Sequence, residues 1–451
     1  MSETHTVRYC KRCLFPETKP DLSFDDEGVC DACRSAEVKT EIDWDARGAE
    51  LKEILERYKS KDGSNYDCLI PVSGGKDSTY QVLRILELGY RPLTVTWSAC
   101  SYTDVGLNNI RAMQNLGVDH IQFTPNPRVY RAIFAEAFRR VGDGCWPCHV
   151  GIFSYPIRVA VAYKIPLLIY GENPQFEYGG PAARAGNPVL DRQWLEEFGG
   201  LLGNRIEDML GVEGITESDL IPYRYPTDEE LADVGVTAIF LGYYQKWDAR
   251  TQLREVLDKT EFKINTTVGD VGDKAHQEGT YTNYENLDGK FVGVHDYLKF
   301  LKFGFGRATD HASIDIRNER VSREEAKELV RKYEGKVPRR YLVEYLEFVG
   351  MTEDEFYETL DAFTNKAIFK TDENGRIIRD ENGDVQKLVW PDDDAPATDE
   401  ETRETAHELI AEELTGTNDA RRRGGEFESA HAEAAGNSHG GPIGQFASRD
   451  E

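Results

Sequence analysis

No run of apolar residues approaches the length needed to span a bilayer, and the polar start Met1-Ser2-Glu3-Thr4-His5-Thr6 has no signal-peptide core. A cytoplasmic protein without a membrane partner is therefore expected. Positive charge is scarce as well: 54 Lys and Arg stand against 81 Asp and Glu, a formal net charge of -27. A polyanion-binding surface needs clustered Lys and Arg, so nucleic acid is not an expected partner, although a local basic groove is compatible with the composition. Apolar content is not lacking. With 451 residues and 39% hydrophobic content the chain has material for folded cores in about three domains.

The Walker pattern is also missing, because Asp77 follows Lys76 and no glycine stands at the required upstream position. The chain has instead Pro71-Val72-Ser73-Gly74-Gly75-Lys76-Asp77-Ser78. Tyr66 to Val72 reads as a short buried strand, and Ser78 to Leu86 carries apolar residues at helical spacing. The glycines then fall in the strand-to-helix turn, where backbone N–H groups and the helix N-terminus can close on an anion. Lys76 adds a full positive charge. The candidate ATP-binding residues are Ser73, Gly74, Gly75, Lys76, Asp77 and Ser78; the plain alternative is a turn that only joins strand to helix. The stretch resembles the signature of the PP-loop ATP pyrophosphatases, which hold the β- and γ-phosphates of ATP on such a loop and cleave ATP to AMP and pyrophosphate.

Cys10-Lys11-Arg12-Cys13 and Cys30-Asp31-Ala32-Cys33 are two knuckles separated by sixteen residues. That spacing suits a four-thiolate zinc ribbon of structural type, Cys10, Cys13, Cys30 and Cys33 being the ligands; disulfides are the alternative. A third pair, Cys145-Trp146-Pro147-Cys148-His149, is expected in a loop before a helix, where thiolates suit a metal ligand or a redox thiol. Cys100, on another loop, is a candidate third ligand. Three such cysteines holding an iron-sulfur cluster would resemble sulfur-transferring PP-loop enzymes, whereas plain packing of small thiols needs no ligand. Cys68 is expected in the core.

After the phosphate turn, strand and helix patterns alternate. Pro92–Trp97, Asp119–Phe123 and Pro166–Tyr170 read as strands, and Asp104–Leu116, Val129–Val141 and Ile152–Tyr163 as helices. The rhythm predicts an α/β fold with a doubly wound parallel sheet and a ligand crevice beyond the carboxyl ends of its strands. Residues 1–42 would form the ribbon and 43–260 the nucleotide domain, with an insertion at about 174–226 covering the crevice. Residues 261–370 would form a helical region that closes on substrate, with one helical pattern running from Pro338 to about Thr364. Residues 391–451 would be an acidic tail too poor in large apolar groups to fold on its own. Arg307 and Asp310, set among glycines and small residues, suit a phosphate and a sugar hydroxyl, or simply an ion pair at a helix start. The acidity, spread over well-patterned helices, resembles that of cytosolic proteins from salt-accumulating haloarchaea.

Six separated stretches together resemble the N-acetyl sugar amidotransferases of surface-polysaccharide and nonulosonic-acid biosynthesis. They are the ribbon, Ser73–Ser78, Tyr102-Thr103-Asp104, Cys145–His149, Gly171-Glu172-Asn173-Pro174 and Gly304–Arg317. The resemblance spans roughly residues 8 to 365. It implies conversion of a sugar acetamido group to an acetamidino group through an adenylated intermediate, with ATP, Mg²⁺ and ammonia. Lys76 and Asp77 would be catalytic, Asp77 orienting Mg²⁺ or the loop. Tyr102, Asp104, Glu172, Asn173, Arg307 and Asp310 are the candidate substrate contacts. No Cys-His-Glu glutaminase constellation can be argued from the sequence, so the resemblance also implies a separate glutaminase and a cyclase-like subunit as partners. The competing readings are a PP-loop tRNA thiolation enzyme and a nucleotide-binding regulator without turnover.

Overall fold

A computed structural model describes residues 7–98, 101–180, 204–265 and 278–391. Cys100, part of the expected insertion and the expected acidic tail beyond Pro391 lie outside the described residues.

Five short strands, β1 (Cys68–Pro71), β2 (Pro92–Trp97), β3 (Asp119–Phe123), β4 (Leu167–Tyr170) and β5 (Thr237–Phe240), form one sheet in the order β3-β2-β1-β4-β5. Every pairing is parallel, with Leu69 opposite both Leu93 and Leu168. The central strands are near-continuous apolar runs buried on both faces, as a covered parallel sheet requires, whereas edge strand β3 exposes Asp119 and Gln122. The strand order grows outward from β1 in one direction and from β4 in the other. The reversal between them opens the crevice of a doubly wound sheet.

Before the sheet come α1 (Asp31–Glu41) and α2 (Trp44–Tyr58), the latter N-capped by Asp43 through Ala46 N–H. The crossovers are α3 (Lys76–Glu87), α4 (Asp104–Gln114), α5 (Pro127–Val141) and α6 (Trp146–Tyr163). On one face Ile157 and Ala160 of α6 pack on Leu69, Val95, Leu168 and Phe240. Helix α6 starts six residues before the expected Ile152, because Pro147 occupies its first turn, where a missing N–H costs nothing, and the fully buried Trp146 anchors it. The Cys145–Cys148 pair therefore sits on the helix start rather than in a loop before it.

After β4 the chain forms α7 (Pro174–Tyr178) and, from residue 204, three short 3₁₀ segments before α8 (Asp228–Val234); α9 (Leu241–Tyr244) and α10 (Ala249–Lys259) follow β5. Among the described residues the remaining helices are α11 (Val292–Phe303), α12 (Arg307–Arg317), α13 (Arg323–Tyr333), α14 (Leu342–Val349) and α15 (Glu353–Phe363). The single helical pattern expected from Pro338 to Thr364 is two helices. Gly350 takes a left-handed φ of +68° after α14, and Thr352 with Glu355 forms a capping box that starts α15. Phe134 and Phe138 of α5 share one aromatic core with Phe291, Tyr345 and Phe356 of this helical segment, so it is packed directly on a crossover of the sheet. Beyond α15, two Asp-Glu-Asn-Gly turns at Asp372 and Asp380 join short antiparallel bridges.

Candidate functional site

The chain leaves β1 through Val72 and turns into α3, whose first residue is Lys76. Val72 is pinned to β2: its N–H donates to the Val95 carbonyl at 2.9 Å and its carbonyl accepts from Thr96 Oγ1 at 2.7 Å. Gly74 has φ +89°, and a Cβ there would lie 2.8 Å from Ile110 Cγ1 and 2.9 Å from the Gly106 carbonyl, so both conformation and the approach of α4 require glycine. Ser73 Oγ accepts from Gly75 N–H at 3.2 Å, and Ser78 Oγ donates to the Gly75 carbonyl at 3.1 Å. The two serines shape the turn.

Lys76 is buried, with Nζ 2.6 Å from Asp77 Oδ2 and 2.7 Å from Glu285 Oε1. Burial alone would favour the neutral amine, but the two carboxylates hold its pKa well above the usual lysine range. Glu285 Oε2 also meets Arg307 Nη2 at 3.5 Å. Burial opposes ionisation of Glu285, yet Lys76 and Arg307 bring it down to about 2. Glu172, just beyond β4, goes the other way: burial first, then Asp77, push its carboxyl up to about 7. Burial, with Arg307 next to it, lowers His311 to about 4. Its Nδ1 lies 3.0 Å from Thr280 Oγ1, while its Nε2 and Asp77 Oδ1 are buried without a hydrogen-bond partner.

Lys76, Asp77, Glu172, Glu285, Arg307 and His311 line one cleft that also takes in Trp247 and Arg320. It lies beyond the carboxyl ends of β1 and β4, where the strand order reverses. Six of its lining residues are acidic against three Lys and Arg, so an anionic ligand would be best received with a divalent cation. Asp315, one of these acids, is fixed by Arg250 at 2.7 Å, Tyr281 Oη at 2.8 Å and Arg320 at 3.1 Å.

Of the sequence-predicted residues, Lys76, Asp77, Glu172 and Arg307 meet in this cleft. Asp310 lies behind Arg307, paired with it at 3.7 Å and with Lys299. Asn173 is buried, and its carbonyl accepts from the N–H groups of Phe176 and Glu177 at the start of α7. Tyr102 pairs its backbone with Gly289, and Asp104 is an exposed residue in the first turn of α4; neither lines the cleft. Sequence reasoning missed Glu285, His311 and Trp247. An acid beside Tyr284 in a polar turn has no diagnostic spacing; only its contact with Lys76 reveals it.

The four ribbon cysteines are buried with their sulfurs within 4.8 Å of one another. Cys10 and Cys33 are 3.9 Å apart and Cys13 and Cys30 3.6 Å, too far for disulfides and close to the roughly 3.8 Å between sulfurs around a tetrahedral zinc. This set suits Zn²⁺ with no position left for substrate. The ribbon also supports the cleft. Phe15 stacks edge-on to Phe305 at 5.9 Å, Leu14 N–H donates to Ser313 Oγ of α12 at 3.3 Å, and Lys39 of α1 pairs with Glu177 of α7.

Of the third cysteine pair, Cys148 Sγ lies 2.7 Å from Tyr130 Oη, and Cys145 N–H donates to Asp143 Oδ1 at 2.9 Å. Among the described residues no third thiol joins them.

The sheet and the crevice at its reversal define an α/β protein with an acid-lined cleft at the position where doubly wound folds bind ligands. Residues 278–380 match the family described as "LPS biosynthesis protein WbpG-like, C-terminal domain". The match agrees with the surface-polysaccharide part of the resemblance, and the matched segment contributes Glu285, Arg307 and His311 to the cleft. No curated protein matches the chain. Among the described residues, no helix is long and apolar enough to cross a membrane.

Proposed function

We propose that this chain is an ATP-dependent amidotransferase of surface-polysaccharide biosynthesis, converting the N-acetyl group of an amino sugar to an acetamidino group with release of AMP and pyrophosphate. One observation carries the reading: Lys76, at the end of the glycine turn, lies 2.7 Å from Glu285 of the segment that matches the polysaccharide-biosynthesis family. Lys76, which would complete an anion cradle, and the family segment thus meet at one cleft.

An acetamide carbonyl is a poor electrophile without a good leaving group. Attack of its oxygen on the α-phosphorus of ATP expels pyrophosphate and forms an imidoyl adenylate. Ammonia then adds to the imidoyl carbon, AMP leaves with the former acetamide oxygen, and loss of a proton leaves the amidine. Lys76 would exchange Glu285 for the departing phosphates, with Ser73, Gly74, Gly75 and Ser78 shaping the turn that receives them. Asp77 Oδ1, buried and unpaired, would hold Mg²⁺, whose charge offsets that of the phosphates. Arg307, now paired with Glu285, would meet a second anionic group once that acid is released. Glu172, with its pKa raised to about 7, suits the transfer of a proton from the incoming ammonia near neutral pH. The walls formed by Trp247 and Tyr284 would keep water from the adenylate. Ammonia would come from a separate glutaminase through a cyclase-like subunit, and the ribbon zinc would have a structural part only.

The test is product analysis with the full chain, ATP, Mg²⁺, ammonium and a panel of N-acetylated amino sugars. AMP and pyrophosphate are expected only with one sugar plus ammonia, the sugar exchanging oxygen for nitrogen. AMP formation with tRNA and a sulfur donor instead would replace this reading with tRNA thiolation, and nucleotide binding without turnover would leave a regulator.

A further inference from the structure

Asp143 lies in the tight turn between α5 and α6, His149 in the first turns of α6, and His295 near the start of α11. Their ligand atoms all lie within 4.8 Å of one another. His295 Nδ1 is 2.9 Å from Asp143 Oδ1, and His149 Nδ1 is 3.4 Å from Asp143 Oδ2. The two rings stand edge to face, 5.0 Å apart. Three elements thus converge two imidazoles, each through the same nitrogen, on one carboxylate.

We propose that Asp143, His149 and His295 form a second metal site, for a zinc-class divalent transition ion, with its remaining coordination open to solvent. Metal bonds of roughly 2.0–2.2 Å in tetrahedral array place ligand atoms about 3.4 Å apart, a spacing these residues approach with no movement of the elements. A carboxylate without a metal hydrogen-bonds His295 well, but His149 Nδ1, buried and 3.4 Å from Asp143 Oδ2, makes no hydrogen bond of good geometry. An ion placed between the three side chains engages that nitrogen.

The exposure is graded as an open site requires: the Asp143 side chain is 5% exposed, and those of His149 and His295 are 27% and 29%. An ion would be gripped from within and reach water on the other side. Nitrogen with a single carboxylate selects zinc, cobalt or iron over Mg²⁺ or Ca²⁺, which favour all-oxygen shells. The carboxylate is also held from behind. Cys145 N–H donates to Asp143 Oδ1 at 2.9 Å, and Lys302 Nζ donates to the carbonyls of Val141 and Gly142 at 2.6 and 2.9 Å. A Cβ at Gly144 would lie 2.5 Å from the Phe134 ring, so the turn has no room to relax. Cys145 and Cys148 flank the site and are not its ligands. The inference stands apart from the proposed reaction, since it rests on none of the cleft residues.

The experiment is metal analysis of the full chain, loaded with excess Zn²⁺ and exchanged into metal-free buffer. Two zinc ions per chain are expected, one in the ribbon; a single ion overturns the proposal. His149→Gln with His295→Gln should lose one ion and keep the other, and retention of both overturns it. Should that double variant fail to fold, as read by circular dichroism, Asp143→Asn is measured against the same outcomes. Cys145→Ser with Cys148→Ser should keep both ions; loss of one would assign the site to the thiols and refute the ligand set. With Co²⁺ in place of zinc, the second equivalent should add weak visible bands and no new thiolate charge-transfer band, and a new charge-transfer band would refute it too.

Discussion

In the ribbon, the four sulfurs come from residues 10 to 33 and converge in a shell that one metal ion satisfies, whereas the cleft gathers charged groups from Lys76 to Arg320 that satisfy one another incompletely. The ribbon is closed: its cysteines are buried and no position remains for a ligand. The cleft has Lys76 held between two carboxylates, Glu172 pushed up to about 7 and buried polar atoms of Asp77 and His311 without partners. A closed shell stabilises a fold; unpaired buried groups are costly in a fold and useful to a ligand. Yet the ribbon is packed against α7 and α12, so the closed region holds two walls of the open one.

Breaking the ribbon should have the largest effect and should show that dependence. Cys10→Ser should lose one zinc ion and several kcal/mol of stability, because binding free energy in such a module is folding free energy. Turnover should fall with it, as α12 loses its support. A variant with full zinc content, or one that loses zinc while the melting temperature stays put, would contradict the closed-shell reading.

Lys76→Ala should separate the two regions. Turnover is expected to drop by roughly 10³-fold, the scale of losing a charge aimed at developing phosphate charge, while zinc content stays at the wild-type value. Steady-state AMP formation and metal analysis on one preparation check both halves; normal turnover would remove the cradle from the reaction.

The smallest effect tests the tension within the cleft. The carboxyl of Glu172 is raised from an ordinary 4.5 to about 7, so between those values the folded chain holds a proton that the unfolded chain has released. Stability from this group is present below about pH 4.5 and lost as pH rises through about 7. Glu172→Gln should therefore match the wild type near pH 4.5 and exceed it by roughly 1–2 kcal/mol at pH 8 in low salt. Melting curves of the two proteins that run parallel across this range would mean that Glu172 titrates normally.

Much of this was legible before the structure. Strands β1 to β4 fall where the strand patterns predict them, and β1, β2 and β4 are legible because a doubly covered parallel strand has to be apolar on both faces. The ribbon was legible because its ligand spacing is itself the geometric requirement. The cleft was legible only where local chain shape carries the chemistry: Gly74 at its positive φ, Lys76 at a helix start, Glu172 just beyond a strand. Tyr102 and Asp104 came from the family resemblance, but the turn into α4 carries Asp104 to the surface and neither lines the cleft. Glu285 and His311 left no trace, because an ionic contact between residues far apart in the chain imposes no local pattern.

By itself the sequence determined the strand and helix periods, the turn that needs glycine and the four thiols that need a metal, because each is a constraint among near neighbours along the chain. Only the tertiary structure decided that Glu285 meets Lys76, that the ribbon supports α12, and that Asp143, His149 and His295 face one another. Those outcomes depend on how the segment that carries Glu285, α11 and α12 packs on α5 and the ribbon, where burial and charge are set by residues far away along the chain.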